Sequence, residues 1–389
     1  MKICGIIAEY NPFHLGHLKQ IEYVKTILGA EKIIVIMSGN FSQRGEVAVL
    51  DKFLRAKHAV IAGADLVIEL PTVFATANAE IFAKGAINIL NSLGVIDSIC
   101  FGVESGSAEE YIALAKAMNN ESREFKKILK EKLESGVSLA KAKFETLKEL
   151  GSDFDQSLIS TPNNILGLEY TKAILSTKSK IEIFPMIRSG DHNDKRLKKG
   201  ITSASSIREI LKIGKPKKLK TNVPKFVFGD LKDYPFAFEN LCLASLITTS
   251  AHKLKNVLDC TEGLENRIKA LIKDNLCLDE LIDKVSTKRY TKSRIQRIIL
   301  SNLLGIEKDL VFDCLDSSLY AKVLAVNSDS KDLIPYICKS SSIPILTRKS
   351  DETLLKKKAK ECFEKDVLAN DLYSLISSKK INEHQMIIV

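Results

Sequence analysis

The first half of the chain alternates continuous apolar runs with amphipathic stretches. "KICGIIAEY" at 2–10 predicts a buried strand, and the spacing after it predicts a helix over about 14–28. "KIIVIMSG" at 32–39 is a second strand. "DKFLRAKHAVIAG" reads as a helix with Asp51 as N-cap and Gly63 as stop. "DLVIELP" at 65–71 is a third strand, "AEIFAKGAINILNSLG" a helix ending at Gly94, and "SICFG" at 98–102 a fourth strand. Apolar strands separated by helices imply an α/β fold whose parallel sheet is covered on both faces. Such sheets bind ligands at the carboxyl ends of their strands, where His14, Gly39 and Gly102 stand.

Residues 108–150 are helical and highly charged, and read as an insertion or cap. A helix at 162–175, a fifth strand at 180–189 and a helix opening on serines at 203–212 follow. "GKPKKLKTNVPK" at 214–225 is rich in Lys and Pro and marks a boundary. The expected organisation is an α/β domain over 1–213 and a mainly helical α+β domain over 226–389, with strand candidates at "SLYAKVLAV" and "IPILTR".

Composition narrows this picture a little. The chain has 389 residues and a formal charge of +10, a modest excess that points weakly to a polyanionic partner. Its eight cysteines include no Cys-x-x-Cys pair, which argues against a zinc knuckle. No segment is apolar and long enough to span a membrane. The amino terminus enters a strand directly, so no leader is expected, and the thiols suit a reducing cytoplasm. Oligomeric state is not fixed by these features.

Two of the six histidines stand at the mouth of the first strand. His14 and His17 fall about one helical turn apart and share a face, with Gly16 allowing close approach to the backbone. A helix start offers free N–H groups and a dipole that favour an anion. A phosphate there would meet two imidazole donors, as an attacked α-phosphate with departing pyrophosphate requires. A metal pair would need further ligands, with His58 and His192 as candidates, and no Glu or Cys stands at ligand spacing. Helix capping is the bland alternative.

His-x-Gly-His after a first strand resembles the signature of nucleotidylyl transferases. The wider strings "GIIAEYNPFHLGH", "SGNFSQRGE", "GADLVIELP", "PNNILGLEY", "ITSASSIR" and "KRYTKSRIQRIIL" resemble the tRNA(Met) cytidine acetate ligase family over nearly the whole chain. The resemblance implies a Rossmann-like nucleotidylyl transferase domain. It implies that ATP, with Mg²⁺, activates acetate as acetyl-adenylate, and that the acetyl group passes to N4 of the wobble cytidine of elongator tRNA(Met). His14 and His17 would be catalytic. An ATP site would run through Ile7, Ala8, Glu9, Tyr10, Asn11, Pro12 and Phe13, then Leu15, Gly16 and Gln20. Further contacts would come from Gly102, Asn163, Arg188 and Ser189.

"ITSASSIR" resembles a second nucleotide signature, with Ser203, Ser205 and Arg208 reaching phosphate; the bland reading is an N-cap. After Arg188 the family usually reads Arg-x-x-Ala-x-Tyr-His-Asp. This chain has "RSGDHND", shorter and without the tyrosine, with His192 and Asp194 near the family's His-Asp. Leu15 replaces a common asparagine. Gln43 and Arg44 are placed to line the acetate or cytidine pocket. Lys198 and Lys199 beside the site could hold tRNA phosphate. "TKRYTKSRIQRIIL" reads as an amphipathic helix whose Arg289, Lys292, Arg294 and Arg297 could track tRNA, with Tyr290 available to stack on a base. Two rivals share these features: an adenylyltransferase making a dinucleotide cofactor, and a non-catalytic tRNA-binding protein.

Overall fold

Buried strands need apolar residues on both faces, and the apolar runs form the centre of the computed structural model. It describes residues 1–119, 122–135, 137, 139–152, 154–188, 202–231, 237–274 and 277–389. The first half runs β1 (Ile3–Ala8), α1 (Leu15–Thr26), β2 (Lys32–Ser38), α2 (Lys52–Ile61), β3 (Leu66–Leu70), α3 (Thr72–Ala75), α4 (Ala79–Leu93) and β4 (Ser98–Val103). Then come α5 (Ala108–Asn119), α6 (Arg123–Glu134), α7 (Leu139–Glu149), α8 (Pro162–Ser176), β5 (Glu182–Ile187), α9 (Ala204–Lys212) and α10 (Lys225–Phe228). Helices α11 (Ala237–Thr248), α12 (Ala251–Leu254), α13 (Leu264–Leu271), α14 (Leu278–Val285), α15 (Lys292–Leu304) and α16 (Lys308–Leu315) follow. The chain ends with β6 (Ala321–Val326), α17 (Leu333–Ser340), β7 (Ile345–Leu346), α18 (Lys357–Ser377) and β8 (Ile387–Ile388).

The strand order is β5-β4-β1-β2-β3-β6-β7, with β8 also on β6. Strands β1 to β5 are parallel to one another, so their carboxyl ends share one edge. Reversal of strand order on either side of β1 opens a crevice there. This is the α/β architecture that the apolar pattern predicts.

Two readings change with the structure. The expected boundary at 214–225 does not interrupt the sheet, because β6 pairs antiparallel with β3. The Lys- and Pro-rich segment itself packs inward: Leu219 and Val223 are buried beside Ile207 and Phe13. The basic stretch begins its helix at Lys292, capped by Thr291, so Arg289 and Tyr290 precede it. Thr291 gives the backbone N–H of Arg294 a side-chain acceptor, which fixes the start there.

Where β3 pairs with β6, the sheet carries a buried cluster of charge. Lys52 Nζ lies 2.8 Å from Glu69 Oε1 and 2.7 Å from Glu383 Oε1. Lys322 reaches the same two carboxylates, and none of the four is more than 5% exposed. A Cβ on Gly39 would stand 2.5 Å from Glu69 Oε1, so only glycine leaves the carboxylate its place. Asp366 adjoins the cluster, accepting from Thr72 N at 2.7 Å and Tyr320 Oη at 2.5 Å. Burial, with Glu69 nearby, pushes its carboxyl up to about 7.

That direction has a stability consequence. Well below pH 4 both the folded and unfolded chains hold this proton. Between there and about 7 the unfolded chain has released it while the folded chain keeps it, so stability falls as pH rises. The Asp366→Asn variant lacks this slope. Unfolding free energies from urea titration should shift in favour of the variant between pH 5 and pH 8, by on the order of 1–3 kcal/mol.

Candidate active site

The link from β1 to α1 turns sharply: Tyr10 takes φ 48°, a left-handed conformation that is uncommon for non-glycine residues. His14 then serves as N-cap of α1 in a reciprocal arrangement. Its Nδ1 accepts from Gly16 N at 3.0 Å, and its own backbone N–H donates to His17 Nδ1 at 3.2 Å. The rings stack, with centroids 3.7 Å apart and planes 16° from parallel. The bland capping reading is therefore correct as geometry, and it has a chemical result. A nitrogen that accepts carries no proton, so each neutral ring bears its hydrogen on Nε2. Burial, then His14 and Arg188, hold the His17 imidazole well below its ordinary range, so it is neutral at pH 7.

Both histidines line a cavity of about 500 Å³ at the carboxyl ends of the parallel strands. Ile7 and Ala8 enter its wall from β1 and Glu9, Tyr10 and Asn11 from the turn after it, followed by Gly16 and Gln20 from α1. Gly102, Asn163 and Arg188 close the β4–β5 side, and Ser205 and Arg208 come from α9. Gln43 and Arg44 arrive on the loop after β2. Pro12, Phe13, Leu15 and Ser203 are not on the wall. Phe13 is buried against Tyr10, His17 and Phe226, and Ser203 spends its hydroxyl capping α9 at Ser206 N. Ser189, His192, Asp194, Lys198 and Lys199 lie outside the described residues.

The individual placements are specific. Gly102 makes room for a side chain: a Cβ there would stand 3.1 Å from Arg188 Cγ. Asn163 Nδ2 donates to Glu104 Oε1 at 2.6 Å, while its neighbour Asn164 is fully buried and bonds the β4 loop. Arg208 donates to Asn11 O at 3.0 Å and pairs with Glu46 at 2.8 Å. Ser205 Oγ accepts from Arg44 at 3.4 Å and from Arg208 at 3.3 Å. Tyr10 Oη and Asn11 Nδ2 are buried without a partner among the described residues, which in a wall residue calls for one from a ligand or water.

Sequence reading missed part of the wall. Phe82, Leu166 and Tyr170 supply an apolar side, and Thr291 and Ser293 bring the start of α15 to the rim. Leu166 and Tyr170 fall inside the "PNNILGLEY" string, which assigns them no role, and the helix carrying Phe82 reads simply as core. Among the described residues no group of three or more His, Cys, Asp or Glu converges as a metal cage, and His58 instead faces Asp230 at 2.9 Å. No described helix is long and apolar enough to cross a membrane.

The four basic candidates near α15 divide by exposure. Arg289 pairs with Glu262 at 2.5 Å and Lys292 with Asp283 at 2.5 Å, all well exposed. Arg294 donates twice to Asp259 O, at 2.7 and 3.0 Å, and Arg297 is 13% exposed against the Asp259 carboxylate at 3.3 Å. The last two fasten α15 to the 259–262 turn.

Comparison with known proteins places this arrangement. A model of the HIGH Nucleotidyl Transferase family matches residues 1–386. The tRNA(Met) cytidine acetate ligase of Acetivibrio thermocellus is 39% identical over 396 residues, covering 96% of this chain and 94% of the other. That of Clostridium novyi is 38% identical over 390 residues, covering 97% and 96%. Thermotoga maritima TmcAL bound with alpha-thio ATP superposes with a TM-score of 0.90 at 27% identity, over 100% of both chains. The apo form of that protein gives 0.92 at 28% identity, again over 100% of both.

Proposed function

This chain belongs to the HIGH nucleotidyl transferases and, among them, to the tRNA(Met) cytidine acetate ligases, and from that premise we propose how its cavity joins acetate to ATP and then to tRNA. The enzyme uses ATP to acetylate a tRNA cytidine. In our reading the base is the wobble cytidine of elongator tRNA(Met), modified at N4. Acetate attacks the α-phosphorus, pyrophosphate leaves, and acetyl-adenylate remains in the cavity. The observation that carries this reading is the stacked histidine pair on the cavity wall, whose two Nδ1 atoms accept backbone N–H groups, so that each neutral ring carries its hydrogen on Nε2. Prepositioned donors stabilise charge where it develops on the phosphate and cost no reorganisation during the reaction. Arg188, Arg208 and Arg44 add positive charge around them. Mg²⁺ would arrive on the triphosphate, consistent with a wall that carries one carboxylate among the described residues, and no step here is derived through it.

Residues 1–213 supply the activation chemistry in this reading, and 226–389 complete the sheet and meet the tRNA. A tRNA substrate suits a cytoplasmic enzyme, which is our reading. The test is AMP release by the purified protein, with labelled acetate and tRNA from cells lacking the modification. Acetate-dependent AMP with label on cytidine is expected. Adenylyl transfer to a phosphorylated small molecule, with no label on tRNA, would sink the reading.

Exposed ion pairs are worth little, about 0–1 kcal/mol, so phosphate can displace the partners of Arg289 and Lys292. Reversing both (Arg289→Glu with Lys292→Glu) should raise the KM for tRNA about tenfold and flatten its salt dependence by about two contacts. Acetate-dependent ATP–pyrophosphate exchange by the same variant measures any damage to the first step.

A further inference from the structure

The charge on the cavity wall is uneven. Among the described residues it carries Lys19, Arg44, Arg188 and Arg208, and a single carboxylate, Glu9. The cations suit a site for ATP and acetate. Glu9 does not, since it repels both anions of the activation step. Its presence calls for a ligand that donates.

Glu9 is also held in place. Its Oε1 accepts from Gln43 N at 2.7 Å. Its backbone carbonyl accepts from Arg55 Nη1 at 2.5 Å. Arg55 is fully buried and binds three more carbonyls, those of Leu50, Ser38 and Gly39, so the ends of β1 and β2 are tied together. Among the described residues no Lys, Arg or His forms an ion pair with Glu9, and no donor is bonded to Oε2. The result is a fixed carboxylate with one oxygen committed and the other available, on the same wall as the histidine pair.

Resting on the acetylation reading above, we propose that Glu9 receives the exocyclic amine of the cytosine and takes a proton from it during acetyl transfer. A carboxylate is the side chain that accepts from cytosine N4. The amine's lone pair is delocalised into the ring, so N4 is a poor nucleophile unless a proton leaves as it attacks. In the step, the N4–carbon bond forms at the acetyl carbonyl and the carbon–oxygen bond to the adenylate phosphate breaks. The electron pair of that bond departs on the phosphate oxygen of AMP. The N4 proton passes to Glu9 Oε2 and is lost to water when the products leave. Glu9 is thereby reassigned from nucleotide contact to the base for the second step.

Glu9→Gln preserves an acceptor for Gln43 N and removes the base. Two rates are compared: acetate-dependent ATP–pyrophosphate exchange, and single-turnover transfer from enzyme-bound labelled acetyl-adenylate to unmodified tRNA. Transfer should fall by roughly 10²- to 10⁴-fold, and its loss should exceed the loss in exchange by about 100-fold or more. Measurable exchange also shows that the variant is folded. Should Glu9→Gln not fold, Glu9→Asp keeps a retracted charge, and transfer should then fall by about tenfold more than exchange. Equal losses in the two rates would overturn the proposal and return Glu9 to the nucleotide step, and undiminished transfer would overturn it outright. If wild-type enzyme shows no acetate-dependent exchange, the acetylation reading itself has failed, an outcome distinct from these.

Discussion

Replacing either His14 or His17 by alanine should abolish acetyl-adenylate formation, with acetate-dependent exchange falling by roughly 10³-fold or more. Removing one preorganised donor to a developing charge costs about 10²- to 10³-fold, and here each ring also orients the other. His17 Nδ1 accepts the His14 backbone N–H, and His14 caps α1 through Gly16 N. Losing the cap carries its own stability loss of about 1 kcal/mol, which an alanine variant confounds with chemistry. His14→Asn separates them. Asparagine is a favoured N-cap, so this variant should melt close to the wild type while exchange still falls by more than about 10²-fold. Full exchange in His14→Asn would reduce His14 to a structural cap. Binding of tRNA, which we assign to the basic surface, should change little in any of the three.

The other large effect concerns the buried charges at the β3–β6 pairing. Lys52 and Lys322 balance Glu69 and Glu383, so the set is neutral, and each member depends on the rest. Lys52→Met should destabilise the protein by about 3–5 kcal/mol, the usual result of leaving a buried carboxylate uncompensated. Burial opposes the charged form of Lys52, but Glu383 and Glu69 hold it protonated, so the ammonium is a full partner at neutral pH. Pairing Lys52→Met with Glu383→Gln restores neutrality, with Lys322 still 3.3 Å from Glu69. The double variant should recover all but about 1–2 kcal/mol. Urea unfolding of the two singles and the double closes the cycle, and simple addition of the single losses would show that the four charges do not act together.

Legibility in the sequence followed the range of the interactions concerned. Strands β1 to β4 were readable because a strand buried on both faces is apolar at nearly every position, and the start of α2 was readable because Asp51 bonds an N–H group three residues away. The joining of β6 to β3 was not, since nothing in "AKVLAV" states which sheet edge it meets. β8 is two residues long and carries no periodicity. Lys52 reads as an ordinary first-turn lysine, and its partner Glu383 stands 331 positions away. At the site, the resemblance marked 7–20 as a block. The geometry divides that block by direction, sending Phe13 into the core and Glu9 to the cavity. Phe82 and Tyr170 reach the wall through tertiary packing of α4 and α8, which a one-dimensional pattern does not encode.

The pairing of β3 with β6 also sets the order in which the protein can be made. During synthesis the five parallel strands emerge first, and the free edge of β3 then waits for residues 321–326. Over that interval the nascent chain presents an unpaired apolar strand edge, with Glu69 and Lys52 lacking Lys322 and Glu383. An open edge of that kind invites pairing with other chains, and contacts this distant in sequence form slowly. Residues 1–213, to which we assign the activation chemistry, are therefore not a detachable module. A gene fragment ending before β6 should yield a chaperone-bound or aggregated product, although it encodes every described residue of the cavity wall. Tolerance to fragmentation, insertion or fusion in this enzyme is decided at its carboxyl end, far along the chain from the chemistry it protects.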